Sequence, residues 1–554
     1  VHVGGDLPFG GVRAPRAPTQ KRSLLLSAPQ HKPTDEQQHA IDLFASGRNT
    51  VIDALAGSGK TSTLQMIASH AGRRRGLYAA FNKAIALEAG RKFAGTGVTA
   101  KTVHALAFAQ FGTPMRERLG NKRPVQWAEK ARILGINDRY LLPPDHNALT
   151  GAVSRQQLVG MATATVKAYM QSTAETITGD LVELIPSLTG LKPKYELELR
   201  DAIASFAERY WDDLTRPDGQ LRYEHGAYFK QYALSRPSLP YDFIMLDEAQ
   251  DSDPLTVQII SEQTNAQVVT VGDAFQSIYG WRGATNAMDA FQGDHAALTL
   301  SFRFGDQIAE YANGWLALLG AHLRLRGMPG YKSSVWRTDK RVPEAILTRT
   351  NAGAIWEIVR CQDEALSTGI AGEQKAKEIR DLARAAVDLT ERGATDHPEL
   401  SAFNTWADAV EYAQSDEGED LRPLVDVIEK YTARKVVRAI EACVPTENAE
   451  VTVSTAHVSK GLEWVQVRIA EDFHPPRPKK GVPQPIPAEE ARLAYVASTR
   501  AQRHLDPRGF EWLADYLAEG GWVEGNPAGA VIPALSHAVH VEGESTPAAV
   551  PQAH

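Results

Sequence analysis

Cysteine is nearly absent from this chain: Cys361 and Cys443 are the two among 554 residues. That excludes a disulfide scaffold and any zinc cluster built on cysteine. No apolar run approaches the roughly 20 residues that a membrane span needs. The N-terminal stretch lacks the apolar core of a signal peptide, so an intracellular protein is expected. A basic excess is missing as well: 60 Lys and Arg stand against 67 Asp and Glu, for a formal net charge of −7. The global signature of a nucleic-acid binder is therefore missing, although a local basic groove can hide inside an acidic total. There are no internal repeats.

What is present is an ordinary globular composition, with 43% hydrophobic and 23% charged residues. At roughly 100–200 residues per domain, the length allows about three to five domains. Residues 1–32, rich in Gly, Pro and basic side chains, read as a flexible tail, and 521–554, rich in Ala, Pro and Gly, as another. Between them, two regions alternate short apolar runs, polar loops and helical patterns. That is the βα rhythm of a parallel sheet covered by helices. The expected α/β organisation is a first domain at 33–106 and 220–290, interrupted by a helical insertion at 107–219. A second domain follows at 291–351 and 445–520, with a shorter helical insertion at 352–444.

The chemistry is concentrated in a few motifs. The strand "TVIDA" runs into "LAGSGKT" and then a helix. Gly57 and Gly59 let the backbone from Ala56 through Ser58 to Ser62 wrap phosphate. Lys60 can reach the β/γ-phosphates, the Thr61 hydroxyl can ligate Mg²⁺, and the helix N-terminus adds a favourable dipole. The strict pattern wants glycine at position 54, where this chain has Ala54. Next, the apolar run in "FIMLDEAQD" delivers two adjacent carboxylates. Asp247 can hold the Mg²⁺, and Glu248 can orient or deprotonate an attacking water, which favours hydrolysis over transfer to a hydroxyl. In "VGDAFQSIYGWRGA", Gln276 is placed to touch a γ-phosphate. Tyr279 and Trp281 beside Arg282 suit a platform for stacking single-stranded bases, with aromatic core packing as the alternative. Arg303 and Arg500, both assigned to the second α/β domain, can be offered across a cleft to a γ-phosphate, although arginines are usually surface ion pairs.

In order along the chain, "PTDEQQHAIDLF", "AGSGKT", "YAAFNKAIA", "KTVHALAF", "LDEAQD", "VGDAFQSIYGWRGA", "LTLSFRFG", "LTRTN", "STAHVSKGLEW" and "LAYVASTRA" form a series over about residues 33 to 505. The chain resembles the UvrD/Rep-like superfamily-one helicases, and the F-box DNA helicase type in particular. The stretch "LRPLVDVIEKYTARKVVRAIEACV" also resembles that type, and so does "SFRFG" where relatives often carry "NYRS".

The resemblance implies two RecA-like P-loop NTPase domains and an ATP-dependent, Mg²⁺-requiring motor. Its expected partners are single-stranded DNA and junctions of single- and double-stranded DNA, with 3′-to-5′ travel, monomeric action and a place in recombination or repair. It implies that Gln37 reads adenine, Phe302 stacks on the base and Glu463 contacts the ribose. Gln276, Arg303 and Arg500 would meet the γ-phosphate. Phe81, Asn82, Thr102, His104, Tyr279, Trp281, Arg282, Arg349, Asn351 and His457 fall at or near the single-strand track, where His104 and His457 have purely structural alternatives. No F-box and no long N-terminal region to hold one is recognisable, so the chain reads as the motor alone. Two other readings stand beside unwinding: a translocase that strips proteins from single strands, and an ATP-gated DNA clamp without turnover. The presence of Lys60, Asp247, Glu248, Gln276, Arg303 and Arg500 together argues against the clamp.

Overall fold

The computed structural model describes residues 32–526, apart from 121–122, 124, 279–286, 415–420 and 480–481. Two six-stranded sheets organise the chain, and every pairing within them is parallel. The first contains β1 (Thr50–Ala54), β2 (Gly76–Ala79), β3 (Val98–Lys101), β4 (Phe243–Leu246), β5 (Gln267–Gly272) and β6 (Asp294–Leu298), in the order β3-β2-β4-β5-β1-β6. The second contains β7 (Ser334–Val335), β8 (Ala345–Thr348), β9 (Thr368–Ile370), β10 (Val451–Thr455), β11 (Trp464–Ile469) and β12 (Ala501–Asp506), in the order β9-β10-β8-β11-β12-β7.

Strands β2, β4, β5, β8 and β10 are buried along their whole length. Helices cover both faces of such a sheet, so these strands read as continuous apolar runs rather than alternating ones. In each sheet, successive strands of the chain are not always neighbours, and several of the crossovers carry helices. The helix Lys60–His70 follows β1. The helix Asp35–Ala45, started by a reciprocal Thr34–Gln37 capping box, packs Ala40, Ile41 and Phe44 onto the same core.

Two α-helical bodies are spliced in. Between β3 and β4 the long helices are Arg155–Gln171, Pro193–Thr215 and His225–Leu234. Leu158, Ala162 and Val166 on the first and Leu199, Ile203, Ala207 and Leu214 on the second share one core, at helical spacing. Between β9 and β10 lie Glu373–Arg392, Trp406–Gln414, Arg422–Tyr431 and Ala433–Glu441, packed through a separate core.

The expected boundaries move in four places. Asp294–Leu298, assigned to the second α/β region, pairs in parallel with β1 and closes the edge of the first sheet. The second insertion was expected from 352, but the helix Asn351–Asp363 and the strand β9 come first, and β9 pairs with β10. A three-residue strand containing a glycine carries almost no β signal of its own. The first insertion runs on beyond 219 through His225–Leu234. The start of the expected C-terminal tail is docked: the Ile486 N–H donates to the Trp522 carbonyl at 2.8 Å, and Val523 is buried. The rest of both expected tails lies outside the described residues.

Candidate functional site

The first sheet ends in a phosphate-sized trap. Gly57 and Gly59 have φ of 72° and 81°, the left-handed region that glycine enters freely. A Cβ on Gly57 would clash, lying 2.4 Å from Ser301 Oγ, and one on Gly59 would press on the Phe302 ring at 3.2 Å. Ala54, where glycine is usual, lies inside β1, where extended backbone accepts a Cβ. Gly59 then serves as the N-cap of Lys60–His70 with no side-chain cap. The first N–H groups of that helix are left for a ligand. The Ser58 hydroxyl is buried without a hydrogen-bond partner. An uncapped helix start and an orphaned hydroxyl in a glycine loop fit an anion such as a phosphate.

A cleft of about 540 Å³ opens over this loop. It is lined from the first sheet by Gly57–Ser62, Phe81, Asn82, Glu248 and Gln276, and from the other side by Phe302, Arg303, Lys460, Glu463 and Arg500. That volume suits a nucleotide. Phe302 is 41% exposed, a free aromatic face beside Gly59. Gln37 is buried just behind: its Oε1 caps the Thr34 N–H, and its Nε2 donates to Thr63 Oγ1 at 3.2 Å.

Lys60 Nζ donates to Glu248 Oε2 at 2.9 Å. Burial opposes the ammonium charge, but Glu248, Asp247 and Asp273 outweigh it and hold the Lys60 pKa above its ordinary value. Burial also opposes the Glu248 charge, and Lys60 and Lys460 overcome it, bringing that carboxyl down to about 2. Burial, and then the adjacent Glu248, push Asp247 up to about 6. Glu248 reaches Lys60 from a left-handed backbone, φ 51°, at the end of β4. For a residue with a Cβ that costs about 1–2 kcal/mol, a strain of the kind found at functional sites. Asp247 is held from behind: its Oδ2 accepts the Tyr78 hydroxyl and its Oδ1 the Glu248 N–H at 2.9 Å. Among the described residues no group of three His, Cys, Asp or Glu side chains could hold a metal alone. Thr61 lines the cleft, whereas Asp247 lines a neighbouring hollow behind Glu248.

Opposite, Arg303 donates to Glu463 and, at 2.9 Å, to the Thr499 carbonyl. Arg500 Nη2 lies 3.3 Å from Gln276 Oε1. Burial, and then Arg303, push the Arg500 pKa below the usual arginine value. The sequence motifs contained, but did not single out, several groups that complete this site. Lys460 Nζ donates to Asp251 and to the Gln276 carbonyl. Gln250 Nε2 donates to Glu248 Oε2 at 2.6 Å, while its Oε1 accepts the Asp273 N–H at 3.0 Å. Each of these residues sits inside a motif stretch, so its position was visible, but for each at least one partner lies in another stretch.

The described track residues fall on both units, just after strands β2, β3, β8 and β10. Phe81, Thr102 and His104 line a hollow of about 230 Å³. Phe81 is exposed, and the His104 ring stacks on Phe229 at 3.7 Å. Asn82 and Thr102 also cap helices, accepting the N–H groups of Ile85 and Ala105. On the second sheet, the Arg349 guanidinium is held by Glu490 through contacts of 2.7–3.1 Å. Asn351 opens a helix capped by Thr350. Burial, and then Arg349, push His457 down to about 4, so its ring is neutral at neutral pH. Tyr279, Trp281 and Arg282 lie outside the described residues.

Two parallel-sheet RecA-like units facing each other across a glycine-loop cleft define a P-loop NTPase of the two-domain motor class. The comparisons carry this further. The family of the UvrD/REP helicase N-terminal domain matches residues 33–295, and that of the UvrD-like helicase C-terminal domain matches 328–506. The chain belongs to the UvrD-like helicases. It is 28% identical over 516 residues to F-box DNA helicase protein 1 of Schizosaccharomyces pombe, covering 85% of this chain and 57% of that protein. It is 27% identical over 507 residues to F-box DNA helicase 1 of Gallus gallus, covering 86% of this chain and 49% of that protein. The chain thus spans about half the length of the curated relatives it matches. The solved structure of PRRSV helicase aligns at 11% identity over 85% of this chain and 53% of that one, with a TM-score of 0.29, too low to bear on the fold.

Proposed function

We propose that this chain is an ATP-driven motor that moves along single-stranded DNA and opens duplex at junctions, in recombination or repair. One observation carries the reading: Lys60, Glu248 and Gln276 from one RecA-like unit and Arg303 and Arg500 from the other line a single cleft. Lys60 and the glycine loop bind the phosphates. Glu248 orients a water and takes its proton as the water oxygen bonds to the γ-phosphorus and the bond to the β-phosphate breaks. Arg303 and Arg500 stabilise the charge that gathers on the transferred group. Mg²⁺ bound through Thr61 and Asp247 would supply further charge neutralisation.

Because the arginines belong to the second unit, ATP draws the units together and hydrolysis lets them part. With Phe81, Thr102, Arg349, Asn351 and His457 distributed over both units, that cycle moves one strand. The names of the curated relatives favour DNA as the strand, and the family resemblance favours 3′-to-5′ travel. No helix among the described residues is long and apolar enough to cross a membrane; as a DNA motor it would act inside the cell.

The test is ATP hydrolysis alone, with single-stranded DNA, and with RNA of the same sequence, followed by unwinding of 3′- and 5′-tailed duplexes. Stimulation by DNA and unwinding from the 3′ tail are expected. Equal stimulation by RNA overturns the DNA assignment. A flat, slow rate in all three overturns the motor in favour of a gated clamp.

A further inference from the structure

The Tyr495 hydroxyl makes its hydrogen bonds in the unit to which the residue does not belong. It lies on the helix Ala488–Ser498, which packs on the second sheet's side and leads to Arg500. Its hydroxyl crosses the interface. It accepts the N–H of Ala56, in the turn that opens the glycine loop, at 3.0 Å, and donates to Asp273 Oδ2 at 3.1 Å. Its ring is fully buried in a core that contains Leu55, Ala56 and Ile278 from the first unit and Phe304 and Ala497 from the second. Asp273 Oδ2 also accepts Gln276 Nε2 at 2.6 Å. That bond sets the orientation of the Gln276 amide: the NH₂ faces Asp273 and the carbonyl faces Arg500. A phenol has one donor proton, and here it goes to Asp273.

We propose that the Tyr495 hydroxyl is a positioning group for hydrolysis, holding the Gln276 amide, through Asp273, to the helix that carries Arg500. The inference rests on the hydrolytic reading of the cleft. Tyr495 and Arg500 share one rigid segment, so a displacement of that segment moves the arginine and releases Gln276 together. Without the hydroxyl, the Ala56 N–H and one Asp273 lone pair are left unpaired at a buried interface, and Asp273, which still accepts Gln276 Nε2, loses its tie to the second unit. A purely structural tyrosine would support the interface through its ring, and phenylalanine would replace it.

The test uses the full chain with Tyr495→Phe, Gln276→Ala and the double variant, measuring DNA-stimulated kcat, KM for ATP and affinity for a fluorescent ADP analogue. We expect Tyr495→Phe to lower kcat about tenfold, the scale of one hydrogen bond to a charged group. KM and ADP affinity should stay within about threefold, because the bond acts on an amide rather than on the bound nucleotide. Added to Gln276→Ala, the change should cost nothing further, since its effect runs through that amide. A kcat within twofold of wild type, or losses that multiply in the double variant, overturns the proposal. If Tyr495→Phe does not fold, Asp273→Asn with and without Gln276→Ala is read by the same rule. A wild-type chain without ATPase activity, with or without DNA, overturns the reading of the cleft as well, and is recognised before any variant is made.

Discussion

Replacing Glu248 with glutamine changes one oxygen to an NH₂ and removes one charge, yet it should separate binding from turnover. Lys60 and Glu248 meet at 2.9 Å with side chains only 14% and 28% exposed. General-base catalysis contributes about 10²–10⁴ in rate, or about 3–5 kcal/mol of barrier. In the nucleotide-free protein Lys60 and Lys460 hold the Glu248 carboxyl at about 2, so it is ionised when ATP arrives. Binding should move the other way. To reach the phosphates, Lys60 must leave Glu248, and a charge-assisted hydrogen bond is worth about 1.5–3 kcal/mol net. Glutamine keeps an acceptor but loses the charge, so ATP affinity should hold or tighten by up to about tenfold. Single-turnover hydrolysis and titration with a fluorescent, non-hydrolysable ATP analogue read the two effects separately. A rate within about fivefold of wild type would remove Glu248 as the base. Affinity weakened more than about tenfold would refute the exchange of Lys60 between carboxylate and phosphate.

Three further outcomes are expected. Burial and Glu248 raise the Asp247 carboxyl from the ordinary 3.8 to about 6, so this group costs stability increasingly as pH rises through that window and fully above it. Asp247→Asn should accordingly raise the Tm of the nucleotide-free protein at pH 7.5 while abolishing turnover, and a Tm below wild type refutes the account. Burial and Arg349 lower His457 from 6.5 to about 4, so the unfolded chain takes up a proton first as pH falls between those values, and folded stability drops there. His457→Gln should flatten the loss in denaturant midpoint between pH 7 and pH 5, and an unchanged slope would place the titration elsewhere. Trp281→Ala should leave basal ATPase intact while lowering DNA affinity and unwinding, since base stacking on an aromatic is worth about 1–3 kcal/mol. Unchanged affinity and unwinding would make Trp281 a packing residue.

The α/β character and the glycine loop were legible because both depend on short-range chemistry. Four apolar residues before Asp247 and Glu248 announce a buried parallel strand, and Gly57 and Gly59 announce positive φ. Pairing was not legible. Nothing in "DHAAL" says that this strand joins β1, and nothing in "TGI" says that it is a strand, since the energy of each lies in partners far away along the chain. Trp522 and Val523 sat in a stretch whose composition suggested a tail, yet Val523 docks in the apolar core that holds Ile486, and the Trp522 carbonyl accepts the Ile486 N–H.

By itself, the sequence determined the class of chemistry: a phosphate loop, adjacent carboxylates and paired arginines. Each group must be presented by a local backbone shape, and local shape is written in contiguous residues. Only the tertiary structure decided how those groups are wired together. Tyr495 meets the Ala56 N–H across 439 residues of sequence, Lys460 meets Asp251 across 209, and Arg500 meets Gln276 across 224. A hydrogen bond between buried groups depends on distances within about 3 Å, and folding alone brings such distant residues that close.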